Sequence, residues 1–328
     1  MLRKDFGLAV LVLTVGAVVA MINPRFISGV NLANTANLIG LFGLFSIAQA
    51  FVIVTAGIEL SVGSVIALLG VIFVDLIAQG VAWPVATLIV LALGCVIGAL
   101  HGVLITRMKL QPFVVTLCGL LIYRGIARFY TQDGTAGFPY GSSFPTLEFL
   151  ATGRTWGVPH PFIAFLVVAA AAWFLLHRTV FGRHLFAVGK NEEAARFSGI
   201  STRQVIVLAY VICAVLTACS AIFFAMYTRS VQPSSHGNFY ELYAIAAAVL
   251  GGFSLRGGEG SIVGVCLGVV LLQVLQNLVN LLGIPSSLNF AVMGGVILAG
   301  VIADRQFEIY RTAKRQAKMH TALDLRSK

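Results

Sequence analysis

"FVIVTAGIELSVGSVIALLG", residues 51–70, is apolar along almost its whole length and holds one carboxylate, Glu59. From Phe26 to Val74, Glu59 is the only formally charged side chain. A carboxylate at bilayer depth costs several kcal/mol unless it is paired, protonated or turned toward water. Because a new apolar run follows it, the stretch predicts that Glu59 lies at the start of a helix. There, free backbone N–H groups and the positive end of the helix dipole would compensate its charge.

The composition of the whole chain indicates a membrane protein. Of its 328 residues, 59% are hydrophobic and only 10% are charged, whereas a soluble domain carries about 25% charged residues. Apolar runs of about 17 to 22 residues recur, which is the length that a helix needs to cross a ~30 Å hydrocarbon layer. The sequence therefore predicts an all-α, polytopic helical membrane protein with a single transmembrane domain over residues 1–328.

Ten hydrophobic segments can be read along the chain, and about ten transmembrane segments are predicted from them. They cover residues 6–22, 38–55, 62–78, 86–106, 113–129, 161–176, 205–227, 242–255, 261–282 and 288–303. The fifth segment carries Arg124 and Arg128 near its end, and the eighth is short. These two are therefore the candidates for half-helices or re-entrant pieces.

The basic residues indicate how the chain is oriented in the membrane. With ten spans and a cytoplasmic N-terminus, 17 of the 22 Lys and Arg residues fall inside and 5 fall outside. Cytoplasmic loops carry an excess of Lys and Arg, so we expect both termini to be cytoplasmic. The polar loop at residues 130–160 is then periplasmic and the basic loop at residues 177–203 cytoplasmic. The basic tail, residues 304–328, is expected to lie along anionic lipid head groups.

A faint internal repeat divides the chain into two halves. "IELSVGSVIALLG" in the third segment is similar to "YELYAIAAAVLGG" in the eighth. Two GxxxGxxxG rows also correspond: Gly94, Gly98 and Gly102, and Gly260, Gly264 and Gly268. Such rows let helices pack closely. A duplication would give five spans in each half, and the odd number would force the halves into opposite orientations. A five-plus-five inverted repeat of this kind is typical of transporters.

The sequence contains no complete motif for nucleotide binding or for hydrolytic or metal-dependent chemistry. Gly189-Lys190 is similar to the end of a phosphate-binding loop, but His184 and Asn191 stand where that motif needs Gly and Ser or Thr. The glycine-rich stretch at residues 251–260 lacks the preceding strand and following helix of a nucleotide fold, so a flexible turn is favoured. The six histidines are scattered singly, and no GxSxG occurs. We therefore expect no catalytic residue, metal, cofactor or nucleic acid on this chain.

Several polar side chains inside the apolar segments are candidates for a translocation path. They are Glu59, Ser61, Ser64, Gln273, Asn277 and Asn280. The last three are spaced i, i+4 and i+7, which puts them on one face of a helix. The alternative is that such amides join helices to each other by hydrogen bonds. For Glu59, and for Glu241 at the start of the eighth segment, a capping or interfacial role is also open.

Four ordered blocks of the sequence resemble the membrane permeases of sugar ABC importers of the ribose, xylose and arabinose type. The blocks are "AGIELSVGS" (56–64), "LQPFVVTL" (110–117), "FGRHLFAVGKNEEAARFSGI" (181–200) and "YELYAIAAAVLGGFSLRGGEGSIVG" (240–264). The resemblance implies about ten spans in the bacterial inner membrane and the import of a monosaccharide. It also implies a second permease subunit, most simply a homodimer, cytoplasmic ATPases that bind ATP and Mg, and a periplasmic sugar-binding protein.

The same resemblance gives the cytoplasmic loop a role. Glu193-Ala194-Ala195, three residues and Gly199 match the EAA-x3-G pattern that bacterial importers dock onto their ATPase, although the pattern is not clean after Gly199. The predicted coupling residues are Gly182, Arg183, Asn191, Glu192, Glu193, Ala194, Ala195, Arg196 and Gly199. "NEEAARF" also contains good helix formers, with Glu193 spaced to pair with Arg196. A short helix of this kind can fill a groove on a partner.

Basic residues are few on the predicted outer side. Arg25, Arg154 and Arg229 are most of them, and they are the candidates for docking the sugar-binding protein. Charge complementarity at such a surface mainly sets the encounter rate and the register.

Two other classes of function are open from the sequence. A secondary transporter driven by an ion gradient would also suit the inverted repeat and Glu59. However, only Glu59, Glu241 and Asp75 are acidic within or near the spans, and no buried histidine or lysine is expected, which leaves little for a proton relay. A scaffold or receptor would need neither polar stripes nor interrupted helices. Together with the resemblance to sugar importers, this favours an importer permease that a separate ATPase drives.

Overall fold

A computed structural model describes residues 2–285 and residues 288, 291–292, 294–295, 298 and 302. Its helices are α1 (Leu2–Ile22), α2 (Gly29–Ile53), α3 (Val62–Ala78), α4 (Trp83–Arg107), α5 (Pro112–Tyr130), α6 (Pro145–Thr152), α7 (His160–Arg178), α8 (Val180–Lys190), α9 (Glu192–Phe197), α10 (Thr202–Thr228), α11 (Tyr240–Leu250) and α12 (Ile262–Leu281). A 3-10 helix, Pro24–Ile27, joins α1 to α2. Four two-residue strands are also present: β1 (Ala136–Gly137), β2 (Arg154–Thr155), β3 (Val158–Pro159) and β4 (Ser230–Val231).

The predicted all-α membrane fold is confirmed. Seven helices of the described part, α1, α2, α4, α5, α7, α10 and α12, are long and apolar enough to cross a membrane. α3 and α11 are apolar but shorter, with 17 and 11 residues. The fifth predicted segment is therefore a full-length helix, and the eighth is a half-helix. The tenth segment and the tail at residues 304–328 lie almost wholly outside the described residues, so the number of spans and the side of each terminus stay predictions.

The helices differ in how much of their surface is covered by protein. In the apolar stretches that could cross a membrane, 78% of the residues are buried in α2, 61% in α10 and 56% in α12. The share is only 22% in α7 and 6% in α1. The peripheral helices expose large apolar side chains such as Leu88, Leu121 and Val167. A helix that is apolar all round needs lipid on its outer face. The core is therefore a bundle of α2, α3, α10, α11 and α12, with lipid-facing helices around it.

The packing of the core agrees with the five-plus-five repeat. The repeat pairs α2 with α10, α3 with α11 and α4 with α12. Correspondingly, α2 packs against α11 and α12, and α10 packs against α3 and α4. The glycine rows serve helix packing: a Cβ at Gly98 would lie 2.5 Å from the Tyr210 carbonyl oxygen of α10. The second row departs from the symmetry, because a Cβ at Gly264 would lie 1.9 Å from the Gly251 carbonyl oxygen next to α11.

Candidate functional site

The bundle is interrupted at corresponding places in its two halves. The first interruption, residues 54–61, connects α2 to α3, and the second interruption, residues 229–239, connects α10 to α11. Non-helical backbone at membrane depth needs hydrogen-bond partners inside the protein. Half-helices that meet at such breaks form the substrate sites of many transporters. These two interruptions are therefore where a translocation site is to be sought.

Side chains of three spanning helices hold the first interruption in place. The Ile58 carbonyl accepts hydrogen bonds from the hydroxyls of Thr116 on α5, at 3.2 Å, and Tyr210 on α10, at 3.4 Å. Gln49 of α2 holds the next residue: with its amide oriented to suit both groups, it donates to the Glu59 carbonyl at 3.3 Å and accepts from the Glu59 N–H at 3.2 Å. The interruption is thus fixed by side chains that replace the missing helical bonds.

The Glu59 carboxylate is buried, and both of its oxygens are paired. Oε1 accepts from the backbone N–H of Ser61 at 2.8 Å and from the Ser61 hydroxyl at 2.6 Å. Oε2 lies 2.8 Å from Nδ1 of His101 on α4. His101 in turn places Nε2 2.9 Å from the Tyr123 hydroxyl of α5. Glu59 therefore lies just before α3, and a histidine of another helix shares its compensation with local N–H and O–H groups.

The expectation that no histidine is buried was wrong. His101 is 2% exposed and bonded through both ring nitrogens. An ionised Glu59 carboxylate can only accept hydrogen bonds, so Nδ1 of His101 must carry a proton to bond to it. This holds for the neutral and for the protonated imidazole ring, and in both Nε2 faces the Tyr123 hydroxyl. The sequence separates Glu59 and His101 by 42 positions, and only the path of the first interruption brings them together.

The second interruption meets the N-terminus of α3, which directly follows the first interruption. A Cβ at Gly63 would lie 1.9 Å from the Gly237 carbonyl oxygen, so the two backbones touch. Arg124 of α5 donates to two carbonyl groups of the second interruption, at 2.6 and 2.5 Å. The Glu241 carboxylate lies against Gly63, with Oε2 2.7 Å from the position of a Cβ there. Glu241 therefore reaches from the start of α11 to the start of α3, and both acidic residues of the repeat lie at this crossing.

The serines that follow Glu59 are buried in the same region. The Ser64 hydroxyl donates to the Ser61 carbonyl at 2.8 Å. A cavity of about 10 Å³ is lined by Glu59 and Ser61 with side chains of α4 and α10. Such a space holds about one water molecule. The bundle is therefore closed beside Glu59 in this conformation.

The three predicted path residues on α12 lie elsewhere. Asn277 and Asn31 of α2 exchange two amide hydrogen bonds, at 2.9 and 3.1 Å, so Asn277 joins two helices as the alternative interpretation holds. Gln273 is buried facing Tyr243 of α11, and Asn280 is exposed. That these residues and the Glu59 group line one continuous path stays a prediction.

The predicted coupling loop folds into α8 and α9. Gly182, in the first turn of α8, is buried against the end of α7, where a Cβ would lie 1.9 Å from the Leu176 carbonyl oxygen, and Arg183 is exposed. Asn191 caps α9, since its side chain accepts from the Ala194 N–H at 2.9 Å. This turn and cap fix where α9 begins relative to α7 and α8.

The far end of α9 is closed by a Schellman motif. The N–H groups of Gly199 and Ile200 donate to the carbonyls of Arg196 and Ala195, at 3.0 and 3.1 Å, and Gly199 has φ +84°. Ala195 is buried, whereas Glu192, Glu193, Ala194 and Arg196 are exposed. Phe197 is 84% exposed. α9 is thus a short helix, capped at both ends, with an exposed aromatic side chain.

A cleft of about 830 Å³ lies beside α9. We call it the coupling cleft; it is lined by residues 55–57, the α4–α5 connection, α9 and the start of α10. Its walls carry both charge signs, with Lys109, Arg196 and Arg203 near Glu192 and Glu193. The cleft therefore reaches from the exposed helix to the start of the first interruption.

The predicted docking arginines are in different surroundings. Arg229 donates to Glu148 of α6 at 2.8 Å and stacks over the Phe138 ring at 5.1 Å. Hydrogen bonds from the Phe144 N–H, which has the larger effect, and from Arg229 hold the pKa of Glu148 below its ordinary value. The contact between Arg229 and Glu148 therefore weakens as the pH falls through the lowered pKa. Arg154 donates to Asn34 at 3.3 Å, and Arg25 is exposed in the 3-10 helix. Arg229 therefore also stabilises the fold, by joining the end of α10 to α6.

Sequence reasoning missed His101, Tyr123 and Arg124 as parts of this site. The available signal was that an ionisable residue within a span is by default a candidate functional residue. His101 lies in the fourth predicted segment and Arg124 in the fifth. Their partners are too distant in the sequence for a spacing rule to connect them.

Together, interrupted helices that cross inside a lipid-facing bundle and an exposed capped helix outside it define a membrane transport protein. The family model described as "Branched-chain amino acid transport system / permease component" matches residues 31–301. The chain is 37% identical over 290 residues to the ribose import permease protein RbsC of Escherichia coli strain K12, covering 88% of this chain and 90% of that one. It is 38% identical over 300 residues to RbsC of Bacillus subtilis strain 168, covering 92% and 91%. No solved structure matches the chain.

A further relative, the D-allose transport system permease protein AlsC of E. coli strain K12, is 32% identical over 302 residues, covering 92% of this chain and 90% of that one. The chain belongs to this family of permease components. It is a multi-pass protein of the inner membrane and a transport component, not an enzyme.

Proposed function

We propose that this chain is the membrane permease subunit of an ABC importer that carries a ribose-like monosaccharide across the inner membrane. The observation that carries the proposal is the 37% identity to an E. coli ribose import permease over about nine-tenths of both chains. The interrupted helices support a transport role, and α9 supports coupling to a partner. In this proposal, two copies of the chain enclose the path, a periplasmic binding protein delivers the sugar, and a cytoplasmic ATPase supplies the energy.

ATP and Mg are assigned to the ATPase and not to this chain. A phosphate-binding loop presents backbone N–H groups at the N-terminus of the following helix. Gly189 and Lys190 instead end α8, and Gly189 is buried against other backbone. The geometry of this sequence motif therefore supports a structural use of the glycine.

The exposed face of α9 is proposed to dock on the ATPase. A short helix with a protruding aromatic residue fits a groove on a partner. ATP binding can move the permease only if the ATPase prefers one of its conformations. We propose that closure of the ATPases draws the α9 helices together and shifts the crossing of α3 and α11 toward an outward-open state.

A secondary transporter driven by an ion gradient is the second candidate function. One observation favours it: the buried Glu59–His101–Tyr123 chain contains the groups that a proton relay uses. The two candidates differ in their energy source, which a transport assay with defined components can separate.

Replacing Phe197 by serine is expected to weaken binding of the ATPase by about 2 kcal/mol, or roughly thirtyfold in Kd, because exposed aromatic side chains are frequent interface hot spots. The melting temperature of the isolated permease should not change, since Phe197 is 84% exposed. The measurement is the affinity of detergent-solubilised permease for its ATPase. Phe197→Leu, which stays apolar, should lose much less. Equal affinity of the serine variant and the wild type would exclude α9 as the docking element.

Reversing the charge of Arg25 is expected to slow association of the binding protein about tenfold or less and to change its salt dependence, because exposed charges act mainly on encounter. Arg25→Glu should leave the melting temperature unchanged. Arg229→Glu should lower it, since the new carboxylate would face Glu148. Association kinetics at two salt concentrations check the first effect. Unchanged kinetics in Arg25→Glu would place the docking surface elsewhere.

A further inference from the structure

Two glycine-containing stretches, neither of which matches a nucleotide-binding motif, lie together on the side of the bundle that carries α8 and α9. One is the end of α8 with Gly189, and the other is the connection between α11 and α12 with Gly257 and Gly258. Both contact Val54, where α2 ends and the first interruption begins. We call Val54, Gly189, Gly257 and Gly258 the glycine junction.

The contacts in the glycine junction are between backbone atoms. The Gly258 N–H donates to the Val54 carbonyl at 2.8 Å. A Cβ at Gly189 would lie 1.8 Å from that carbonyl oxygen and 2.5 Å from the Gly258 nitrogen, and a Cβ at Gly257 would lie 2.8 Å from the Gly189 carbonyl oxygen. Gly257 and Gly258 also have φ of +78° and +71°, which favour glycine. Larger residues are therefore excluded by space at Gly189 and by both space and conformation at the other two.

The glycine junction connects three functional elements of the chain. Gly189 is followed after one residue by Asn191, the cap of α9. Val54 opens the stretch that leads to Glu59 and α3, and Gly258 belongs to the connection that leaves α11. The helix proposed to dock on the ATPase is therefore attached by direct backbone contact to the connections of both short helices that meet at the crossing.

Close-packed backbone transmits small displacements better than mobile side chains do, because it has no rotamers to absorb them and interiors are poorly compressible. An ion pair between Lys190 and Glu259, at 3.2 Å, flanks the glycine junction. Its side chains are 70% and 61% exposed, and exposed pairs contribute little. The rigidity therefore comes from the backbone contacts.

We propose that the glycine junction moves as one rigid unit and delivers the displacement of α9 to the first interruption and to the α11–α12 connection at once. This inference rests on the proposed function, since it takes α9 to be the element that the ATPase moves. It assigns a positioning role to Gly189, which by this account holds α9 in register with Val54 and Gly258.

A cross-link across the glycine junction tests whether it moves as a unit. Lys190→Cys and Glu259→Cys are introduced after the five native cysteines are replaced, and a short bis-maleimide joins the new thiols. The cross-linked complex is expected to keep ATP-driven uptake within about twofold of the unlinked double variant. Strong inhibition by the reagent in the double variant, but in neither single variant, would mean that the two stretches separate during the cycle and would overturn the proposal.

Gly189→Ala tests transmission with a separate readout. The variant is expected to bind the ATPase with unchanged affinity and to keep ATP hydrolysis, while uptake falls about tenfold or more. Gly125→Ala is the matched control, because Gly125 is also helical and nothing lies within 4 Å of its Cβ position. Normal uptake per ATP in Gly189→Ala would contradict the proposal, and if that variant does not fold, the cross-link decides. A wild-type chain that binds no ATPase would instead overturn the proposed function.

Discussion

Replacing Glu59 by leucine is expected to lower the free energy of unfolding by about 3 to 5 kcal/mol, because it removes one partner of a buried, hydrogen-bonded pair. The change leaves the Ser61 N–H, the Ser61 hydroxyl and His101 Nδ1 without their acceptor, and each unpaired buried group costs about 1 to 3 kcal/mol. Glu59→Gln should cost much less. Its oxygen can face Ser61, while His101 takes the tautomer in which Nδ1 accepts from the amide and Nε2 donates to Tyr123.

Thermal unfolding in detergent compares the two variants, and uptake is measured on the same preparations. Glu59→Leu combined with His101→Leu should recover part of the loss, since an apolar pair leaves fewer unpaired groups. A structural role predicts a stable glutamine variant that retains transport. A proton carrier predicts a stable glutamine variant without transport, and that outcome would contradict the structural account of Glu59.

Gly63→Ala is expected to abolish transport, because its Cβ would lie 1.9 Å from the Gly237 carbonyl oxygen, where the second interruption touches the first turn of α3. Relief requires movement of backbone, and such overpacking costs about 1 to 3 kcal/mol. The displaced second interruption would also shift Glu241 away from the start of α3.

Gly70→Ala is the matched control on the same helix. Its nearest neighbours would be methyl groups of Val231, at 3.2 and 3.7 Å, which can give way. ATP-driven uptake and melting temperature are measured for both variants. Similar uptake in Gly63→Ala and Gly70→Ala would mean that the crossing tolerates displacement and is not the site of the conformational change.

The spans and their packing could be predicted because they follow from local composition. Hydropathy located nine helices of the described part, and the brevity of the eighth segment foretold the half-helix α11. The row of Gly94, Gly98 and Gly102 correctly predicted a close helix contact, since a stripe without side chains lets another backbone approach whichever helix supplies it. The helix at residues 192–197 followed from its helix formers and acidic first turn.

The site itself could not be predicted, because it depends on where non-helical backbone runs. Glu59 meets His101 only because residues 54–61 turn back into the bundle, and no periodicity describes such a turn. The same limit applies to Gly189 and Gly258, whose contact across 69 positions has no signal in either glycine-rich stretch. The helical spacing of Gln273, Asn277 and Asn280 likewise held no signal for the hydrogen bonds between Asn277 and Asn31, because a spacing rule does not name the partner helix.

The most direct test of the account is ribose uptake into proteoliposomes that contain this chain, its ATPase and its binding protein, each of which can be left out. The account expects ribose to accumulate only when ATP is present on the ATPase side and the binding protein on the other, with no effect of proton or sodium ionophores. Accumulation driven by a proton or sodium gradient, with this chain alone and without ATP, would contradict it.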